Sequence, residues 1–531
     1  MLTLQKVLEP NLPSLSLHTN SINHRYNTHK KGIIMKRRDF LKGAFGFSAI
    51  ASVALYAKGM MGGGMGMMNG NREMGKSFGG ELKNLSSFYN QLKIPTQIFG
   101  EERDGVSHFD LKMQLGLSNF FKGVDTQTYG VNGSYLGPTI RLKAGQKVSL
   151  NWHNKIGEDA TMHGHGMHLP ASADGTVHQV IKDGSSWSAK YTVKQKACTN
   201  WYHPHTMGKT ATQVLMGLGG MILIDDAESL RLPLPKRYGI DDIPLVFQDR
   251  QFTQSGFFSY PRSMMTTMHG YRGDTLLVNG TIAPYIEVEA SLLRLRLLNA
   301  SNSRIYSFGI NGNKSMQVIA GDNSLLKNPI SVKSVTLSPA ERAEVVIDLR
   351  GLKGKKIYLK DNQSGAKTLE IRVTKSSTVE SKVPSVLTKL EPIDLSKVVN
   401  KRHFTLSVAG PGRLLINGES MNPNKINQVV RKGDYEIWDV YNEPMGMGMM
   451  RMIHNFHMHG NHFRVLSRNG IKSSVKPWEF GYKDTVMLEP GNRVELLVRH
   501  TDYSDAKVPY MYHCHILEHE DAGMMGQFTV I

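Results

Sequence analysis

The stretch HCHILEH at residues 513–519, followed five residues later by Met524, determines how the rest of the chain is interpreted. It contains one of the two cysteines among 531 residues, and a histidine flanks that cysteine on each side. A thiolate, imidazoles and a distant thioether are the ligands of a blue-copper electron-transfer site. An isolated cysteine or histidine is more often an ordinary buried residue, but here ligand types and spacing coincide. The stretch therefore predicts a mononuclear copper site.

The two histidines beside Cys514 indicate a second metal centre on the other face of the same strand. Successive side chains of a β-strand point to opposite faces, so Cys514 would point one way and His513 and His515 the other. One strand would then connect two redox sites. This interpretation requires further histidines elsewhere in the chain, including one more beside Cys514 and His519.

Composition indicates a multidomain, turn-rich β protein. A length of 531 residues suits about three or four domains, and 40% hydrophobic residues with 52 glycines suit cores joined by turns. The net charge is +19, but the basic residues are scattered, so we expect no nucleic-acid partner and a basic surface suited to a periplasm or an anionic membrane. If Cys514 is a ligand, Cys198 is expected to be a buried free thiol.

Residues 1–58 are interpreted as a twin-arginine export leader. The pattern KRRDFLK at 36–42 precedes a weakly apolar run at 43–57 that is short for a bilayer span. Cleavage and export by the twin-arginine machinery are therefore favoured over stable membrane insertion. Because Met35 stands where such a leader normally begins, residues 1–34 are interpreted as a misassigned start. We expect a periplasmic protein.

Residues 59–80 are predicted to form a flexible tail. Its methionine- and glycine-rich run at 59–70 has too much glycine for a stable helix or strand. Thioethers on a flexible chain suit Cu(I), whereas the simpler explanation is a linker whose methionines do nothing.

From about residue 95 the chain consists of short alternating strands without sustained helical periodicity, as at 293–297, which indicates an all-β sandwich architecture. The motifs VNG at 131–133, VNG at 278–280 and ING at 416–418 recur at intervals of about 140 residues, the size of one sandwich. We predict three β-sandwich domains, at residues 81–230, 231–378 and 395–531.

Four His-x-His pairs supply the histidines that the C-terminal stretch requires. Each pair places two imidazoles on one strand face, and eight imidazoles suit a cluster of three metal ions, which leaves His454 to complete the Cys514 site. The pairs are His163 and His165, His203 and His205, His457 and His459, and His513 and His515. Two pairs lie in the first unit and two in the third, so the cluster is expected between those domains. The second unit has RIYSF at 304–308 in place of a pair and is interpreted as a spacer.

These four blocks resemble the copper-binding motifs of the multicopper oxidases, which include laccases, bilirubin oxidases and bacterial cuprous oxidases. The resemblance covers residues 95–531 and implies three cupredoxin-like Greek-key domains with four copper ions. It implies type 1 copper at His454, Cys514, His519 and Met524, type 2 copper at His163 and His457, and a type 3 pair at His165, His203, His205, His459, His513 and His515. Asn455 departs from the family's usual proline, and the axial Met524 suggests a moderate type 1 potential.

The resemblance also implies a mechanism. Single electrons pass from a substrate to type 1 copper and through Cys514 to the trinuclear cluster, where four electrons reduce O2 to water. Asp174 and Glu520 occupy positions that match the family's proton donors. Each is also explained by a carboxylate that merely orients a ligand.

The run MGMGMMRM at 445–452 indicates the substrate, because it leads directly into His454. Thioethers favour Cu(I), whereas core-filling methionines would not alternate with glycine. The resemblance is closest to periplasmic cuprous oxidases of copper tolerance, although their methionine-rich insertion before the third domain is missing and Met450 replaces their aspartate. Candidate ligands of a substrate copper are Met452, Met450 and Met449, with Met264, Met265 and Met268 as further contributors to the same face.

Three hypotheses follow. The leading one is an exported, monomeric cuprous oxidase with Cu(I) and O2 as its substrates and a role in copper homeostasis. The second is a laccase-like oxidase of phenols, Mn(II) or Fe(II). The third is a copper-sequestering or scaffold protein, such as the copper-free cell-division relative. The full set of ligand positions argues against a metal-free scaffold.

Overall fold

The computed structural model of the chain describes residues 80–444 and 452–531. The predicted leader, the methionine-rich run at 59–70, and Met449 and Met450 lie outside the described residues. No helix within the described ranges is long and apolar enough to cross a membrane.

The described chain is built mainly of strands. Up to residue 225 they are β1 (Asn90–Gln91), β2 (Gln97–Ile98), β3 (Glu101–Arg103), β4 (Val106–Ser118), β5 (Thr126–Val131), β6 (Thr139–Lys143), β7 (Lys147–Lys155), β8 (His163–His165), β9 (Ser186–Thr192), β10 (Cys198–His203) and β11 (Gly220–Asp225). Next come β12 (Asp242–Arg250), β13 (Thr275–Val278), β14 (Pro284–Ala290), β15 (Leu292–Asn299), β16 (Tyr306–Ile310), β17 (Met316–Ala320), β18 (Leu325–Val332), β19 (Ser334–Leu337), β20 (Arg342–Asp348), β21 (Lys356–Asp361) and β22 (Lys367–Ser376).

The last part of the described chain, from residue 398, contributes ten strands, one α-helix and two 3-10 helices. The strands are β23 (Val398–Val408), β24 (Leu414–Ile416), β25 (Gln428–Val430), β26 (Tyr435–Asn442), β27 (His454–Met458), β28 (Phe463–Arg468), β29 (Thr485–Leu488), β30 (Arg493–Arg499), β31 (Asp505–His513) and β32 (Met525–Val530). The α-helices of the described ranges are α1 (Thr210–Met216), α2 (Ala227–Arg231), α3 (Met264–His269) and α4 (Leu517–Asp521), and the 3-10 helices are Ala171–Ala173, Asn311–Asn313, Leu395–Lys397, Lys472–Ser474 and Pro477–Glu479.

The strands form three two-layered sandwiches, as predicted for an all-β chain. In the first, sheet β2-β6-β11-β10-β8 faces sheet β3-β4-β7-β9, to which β5 is added beside β4. The second pairs β13-β12-β15-β20-β17-β18 with β1-β14-β22-β21-β16-β19, and the third pairs β24-β23-β26-β30-β28 with β25-β32-β31-β27-β29. A separate apolar cluster fills each sandwich.

The three Asn-Gly motifs occupy equivalent positions, which explains their repetition. Asn132, Asn279 and Asn417 each follow a strand and adopt a left-handed φ of 50–54°, a conformation that asparagine tolerates. Each carboxamide bonds the neighbouring strand through both a backbone N–H and a backbone carbonyl. The motif therefore closes the same corner in each sandwich.

The N-terminal segment of the described chain lies on the second sandwich, whereas the sequence predicts that the first domain begins at residue 81. Strand β1 pairs in parallel with β14, with Asn90 opposite Pro284. Leu82 and Leu92 pack in the apolar cluster of the second sandwich. This placement depends on contacts about 190 residues apart in the chain, such as the bond from Asn90 Nδ2 to the Ile282 carbonyl (|i−j| = 192), and local patterning carries no signal for it.

Candidate metal centre

A cysteine and two histidines converge inside the third sandwich. His454 begins β27, His519 lies in α4, and Cys514 follows the end of β31. The Nδ1 atoms of the two histidines are 3.1 Å apart, and Cys514 Sγ lies 3.6 Å from each. Met524 is fully buried in the apolar cluster that also contains Cys514. This trigonal set of two nitrogens and one sulfur is the donor set of a blue-copper site.

The predicted alternation at residues 513–515 is present, although the strand ends at His513. The rings of His513 and His515 lie 5.3 Å apart and meet the other histidine pairs. The Cys514 side chain faces His454 and His519 instead. The chain thus presents one ligand to one site and its two neighbours to another.

Eight imidazoles meet between the first and third sandwiches, where the ends of two strand pairs face each other. In the first sandwich His163 of β8 lies opposite His203 of β10. In the third, His457 of β27 lies opposite His513 of β31. The second histidine of each pair follows two residues later, so strand register joins the pairs two by two within each sandwich. The packing of the first sandwich against the third then brings all four pairs together.

Six of the imidazoles form two sets of three. In one set, His203 Nε2 lies 3.4 Å from His165 Nδ1 and 3.3 Å from His515 Nε2. In the other, His513 Nε2 lies 3.1 Å from His205 Nε2 and 3.0 Å from His459 Nε2. Each set offers three nitrogens to one point.

The remaining two imidazoles, His163 and His457, present Nε2 atoms that are buried and have no hydrogen-bond partner. A buried, unpaired polar atom is costly unless it binds something. The Nδ1 atoms of the same rings face backbone carbonyls, of Asp174 at 2.7 Å and of Asp484 at 2.9 Å. Because a carbonyl only accepts, each Nδ1 must donate, and each Nε2 therefore presents a lone pair, as a metal ligand does.

The electrostatics of the cluster also fit a metal centre. Burial lowers the pKa of these rings well below the ordinary value, and the neighbouring imidazoles lower it further. The rings shifted in this way are His165, His203, His205, His459, His513 and His515. They are neutral at neutral pH, which is the form that binds metal ions. Copper therefore fits both sets of residues by donor type, protonation and orientation.

Two carboxylates each accept a hydrogen bond from a histidine of the other sandwich across the domain junction. Asp174, from the first sandwich, accepts from His459 Nδ1 of the third at 2.9 Å. Asp484, from the third sandwich, accepts from His165 Nε2 of the first at 2.9 Å, so that His165 is left to bind through Nδ1. Asp174 is a predicted residue, whereas Asp484 was missed because it lies outside the histidine blocks and no spacing marks it.

Glu520 lies between two rings of the cluster. Its carboxyl oxygens are 3.5 Å from His205 Nδ1 and 3.5 Å from His513 Nδ1. Burial, together with the nearby Asp521 carboxylate, raises the pKa of Glu520 well above the ordinary value. The raised pKa favours the protonated carboxylic acid, the form that can donate a proton.

Helix α3 covers the outer edge of the cysteine site. His519 Nε2 donates to the Met268 carbonyl at 3.1 Å, while Met264 and Met265 of the same helix are 61% and 40% exposed. The predicted substrate ligand Met452 is buried in the apolar cluster of the third sandwich, to which Met268 also belongs. Next to α3 and α4 lies a cavity of about 440 Å³, lined in part by Tyr260, Met264 and Glu518.

Comparisons with known proteins agree with this arrangement. Family models described as multicopper oxidase match residues 113–229, 261–380 and 388–531. The chain is 37% identical over 459 residues to the multicopper oxidase mco of Staphylococcus haemolyticus, covering 85% of this chain and 95% of the relative. It is 34% identical over 455 residues to the cell division protein FtsP of Xenorhabdus nematophila, covering 82% and 92%.

A solved structure shares the fold as well. The crystal structure of a laccase from Pediococcus acidilactici superposes with a TM-score of 0.79 at 30% identity, covering 85% of this chain and 95% of the laccase.

Proposed function

The chain belongs to the multicopper oxidase family, and we propose that it is a cuprous oxidase, which couples oxidation of Cu(I) to Cu(II) to the four-electron reduction of O2 to water. The observation that carries the choice of substrate is the position of α3. This helix exposes Met264 and Met265 while its Met268 carbonyl binds His519. Soft thioethers prefer Cu(I) to harder cations.

Four bound copper ions are assigned to the residues described above. His454, Cys514, His519 and Met524 would hold the type 1 ion, and His163 and His457 the type 2 ion. The type 3 pair would be held by His165, His203, His205, His459, His513 and His515. When bound, these ions supply the one-electron chemistry and the reduction of O2.

The chain's own residues supply the path and the protons. The peptide of Cys514 joins it directly to His513 and His515, which provides a covalent connection between the two ligand sets. Glu520 holds a proton beside two rings of the cluster and serves as its donor. Asp174 orients His163 and His459 through its backbone and side-chain oxygens.

The cellular setting follows from the sequence. Residues 1–58 would direct export by the twin-arginine machinery, so that a monomer works in the periplasm in copper tolerance. Three domains, predicted at 81–230, 231–378 and 395–531, would form the mature enzyme, with the segment from Leu82 to Leu92 packed on the second.

A laccase-like activity on phenols is the second candidate. The cavity of about 440 Å³ beside α3 and α4 favours it, since Tyr260 and Met264 line a space large enough for an organic donor. Oxidation of Mn(II) or Fe(II) belongs to the same alternative.

The test is O2 uptake by the copper-loaded protein supplied with buffered Cu(I), or with a phenolic dye with and without added Cu(II). One variant carries Met264→Ser and Met265→Ser, a second carries serine at the methionines of the 445–452 run, and Met207→Ser is the control, because Met207 is also exposed. Cu(I) oxidation that falls only in the first two variants supports the cuprous oxidase.

Dye turnover that needs no added copper and ignores the methionines would make the protein a laccase. If the fully copper-loaded protein takes up no O2 with either donor, copper sequestration is the remaining function.

A further inference from the structure

The second sandwich contacts the segment that carries Cys514, although it supplies none of the predicted copper ligands. Its Met268 carbonyl accepts from His519 Nε2 at 3.1 Å. Its Asn302 carbonyl accepts from the Leu517 backbone N–H at 3.0 Å. The domain predicted to be a spacer therefore fixes the chain just after Cys514.

Asn455 makes the corresponding connection at His515. Its Oδ1 accepts from the His515 backbone N–H at 2.6 Å. Its Nδ2 donates to the Pro339 carbonyl at 2.9 Å and to Ser338 Oγ at 3.2 Å. Asn455 is fully buried, so these bonds are shielded from water. One carboxamide thus ties the Cys514–His515 peptide to a turn of the second sandwich.

The same side chain lies beside the sulfur. Asn455 Oδ1 is 3.6 Å from Cys514 Sγ. Cys514 is itself fully buried in the apolar cluster of the third sandwich. A sulfur in such a dry site responds strongly to nearby dipoles. The negative end of the Asn455 amide therefore acts directly on it.

Proline at this position would remove these features, because it has neither a backbone N–H nor a carboxamide. The bridge from His515 to the second sandwich depends on asparagine. Alanine or leucine would likewise leave the His515 N–H without an acceptor in a buried site.

We propose that Asn455 is a positioning residue whose carboxamide anchors the Cys514–His515 peptide to the Ser338–Pro339 turn, and thereby sets the type 1 potential and the rate of electron transfer to the trinuclear cluster. The inference rests on the assignment of the copper ligands but not on Cu(I) as the substrate. Hydrogen bonding around the cysteine sulfur is an established control of blue-copper potentials.

The test compares Asn455→Ala and Asn455→Leu with Asn154→Ala. Asn154 is a matched control because it is buried in the first sandwich and also makes two donor bonds and one acceptor bond. The readouts are the type 1 potential, the thiolate-to-copper absorption band, and the anaerobic rate of electron transfer between the two sites.

Both Asn455 variants are expected to raise the potential. They remove a negative dipole end beside the sulfur and leave the His515 N–H uncompensated, and both changes favour the reduced ion. Electron transfer is expected to slow by about tenfold, the lower range for loss of a residue that orients a ligand. Asn154→Ala should lower stability while the potential, band and rate remain those of the parent protein.

A measurement on the copper-free protein keeps the proposal testable if a variant loads poorly. Hydrogen exchange at the peptide containing residue 515 should speed by at least about tenfold in Asn455→Leu, because the His515 N–H loses its acceptor. Unchanged exchange would overturn the anchor. If Asn455→Leu keeps the potential of the parent protein while Asn455→Ala does not, Asn455 only fills space and the proposal is overturned.

Failure of the ligand assignment would look different. The parent protein itself would then lack the blue absorption band, and the inference would fall with it. Failure of the Cu(I) proposal would leave the band, the potential and their response to Asn455 intact.

Discussion

Among single residues, Glu520 is the one that most directly tests how protons reach the cluster. Glu520→Gln keeps the shape of the side chain but removes the proton that can be released. We expect O2 reduction to slow by about 100-fold, while anaerobic reduction of the type 1 site by substrate stays unchanged. Stopped-flow and O2 uptake measure the two steps. Glu419→Gln, at an exposed carboxylate paired with Lys425, is the control.

The pH dependence of O2 reduction tests the same proton-donor role of Glu520. Because burial raises the pKa of Glu520, the acid form persists above the ordinary range of a glutamate and is lost as the pH rises through the shifted pKa. Activity of the parent protein should therefore decline on the alkaline side, and Glu520→Gln should flatten that limb. An alkaline limb that survives in the variant would assign the proton to another group.

At the scale of elements, the junction of α3 and α4 decides how the cysteine site is covered. Helix α3 ends at His269 and is followed by Gly270, which has a φ of 73°. A side chain there would meet Ser303 and approach Ile516 Cγ2 to 3.0 Å. Ile516 directly precedes α4, which carries His519. Any outward shift of α3 would therefore disturb a predicted type 1 ligand.

Gly270→Ala is expected to destabilise the protein by about 2–5 kcal/mol, because a left-handed backbone costs about 1–3 kcal/mol and overpacking a similar amount. The comparison variant is Gly312→Ala, where φ is also positive at 71° but ψ is 18° rather than 158°, and nothing lies within 4 Å. The control should show only the backbone cost in urea unfolding. The blue absorption band should change in Gly270→Ala alone, and an equal change in both variants would contradict the role of the junction.

At the scale of the whole molecule, Arg342 joins all three sandwiches. From β20 of the second sandwich it donates to both carboxylate oxygens of Asp484 in the third, at 2.8 and 2.6 Å. It also donates to the Thr199 carbonyl and to Asn200 Oδ1 in the first. Although burial alone would raise it, Arg342 and His165 hold the pKa of Asp484 well below the ordinary value.

Arg342→Met is expected to destabilise the protein by about 3–5 kcal/mol at neutral pH, since Asp484 is left as a buried, uncompensated charge. Because the pKa of Asp484 is lowered in the folded state, its ion pair stabilises the fold fully above the unfolded-state pKa of about 4. This stabilisation is lost as the pH falls through the folded-state pKa. The difference between variant and parent in urea unfolding should therefore shrink in acid. Arg350→Met, at an exposed pair with Asp348, should cost less than about 1 kcal/mol.

Copper removal tests the coupling of the first and third sandwiches. Their histidines meet at the junction, so bound ions stabilise both domains together, by about 4 kcal/mol at a thousandfold excess over Kd. Calorimetry of copper-free protein should show a lower and broader transition. In Cys514→Ser the transition should still sharpen on copper addition, because the type 1 ligands come from the third sandwich alone. A transition that ignores copper would contradict this coupling.

Features that depend on local spacing and ligand chemistry could be predicted from the sequence. The His-x-His pairs predicted convergence, because alternation within a strand fixes which side chains share a face. The Asn-Gly repeats predicted three units, because each closes the same corner with a left-handed asparagine. Copper is expected at these residues from their donor types, since thiolate, thioether and imidazole together favour that metal.

The tertiary structure alone decided what depends on contacts distant in the chain. It placed residues 90–91 on the second sandwich, chose Asp484 as the partner of His165, and joined Asn455 to the turn at Ser338 and Pro339. Each contact joins residues more than 100 positions apart, where neither periodicity nor spacing carries information. A single asparagine or aspartate shows its role only once packing has removed water and left one partner within reach.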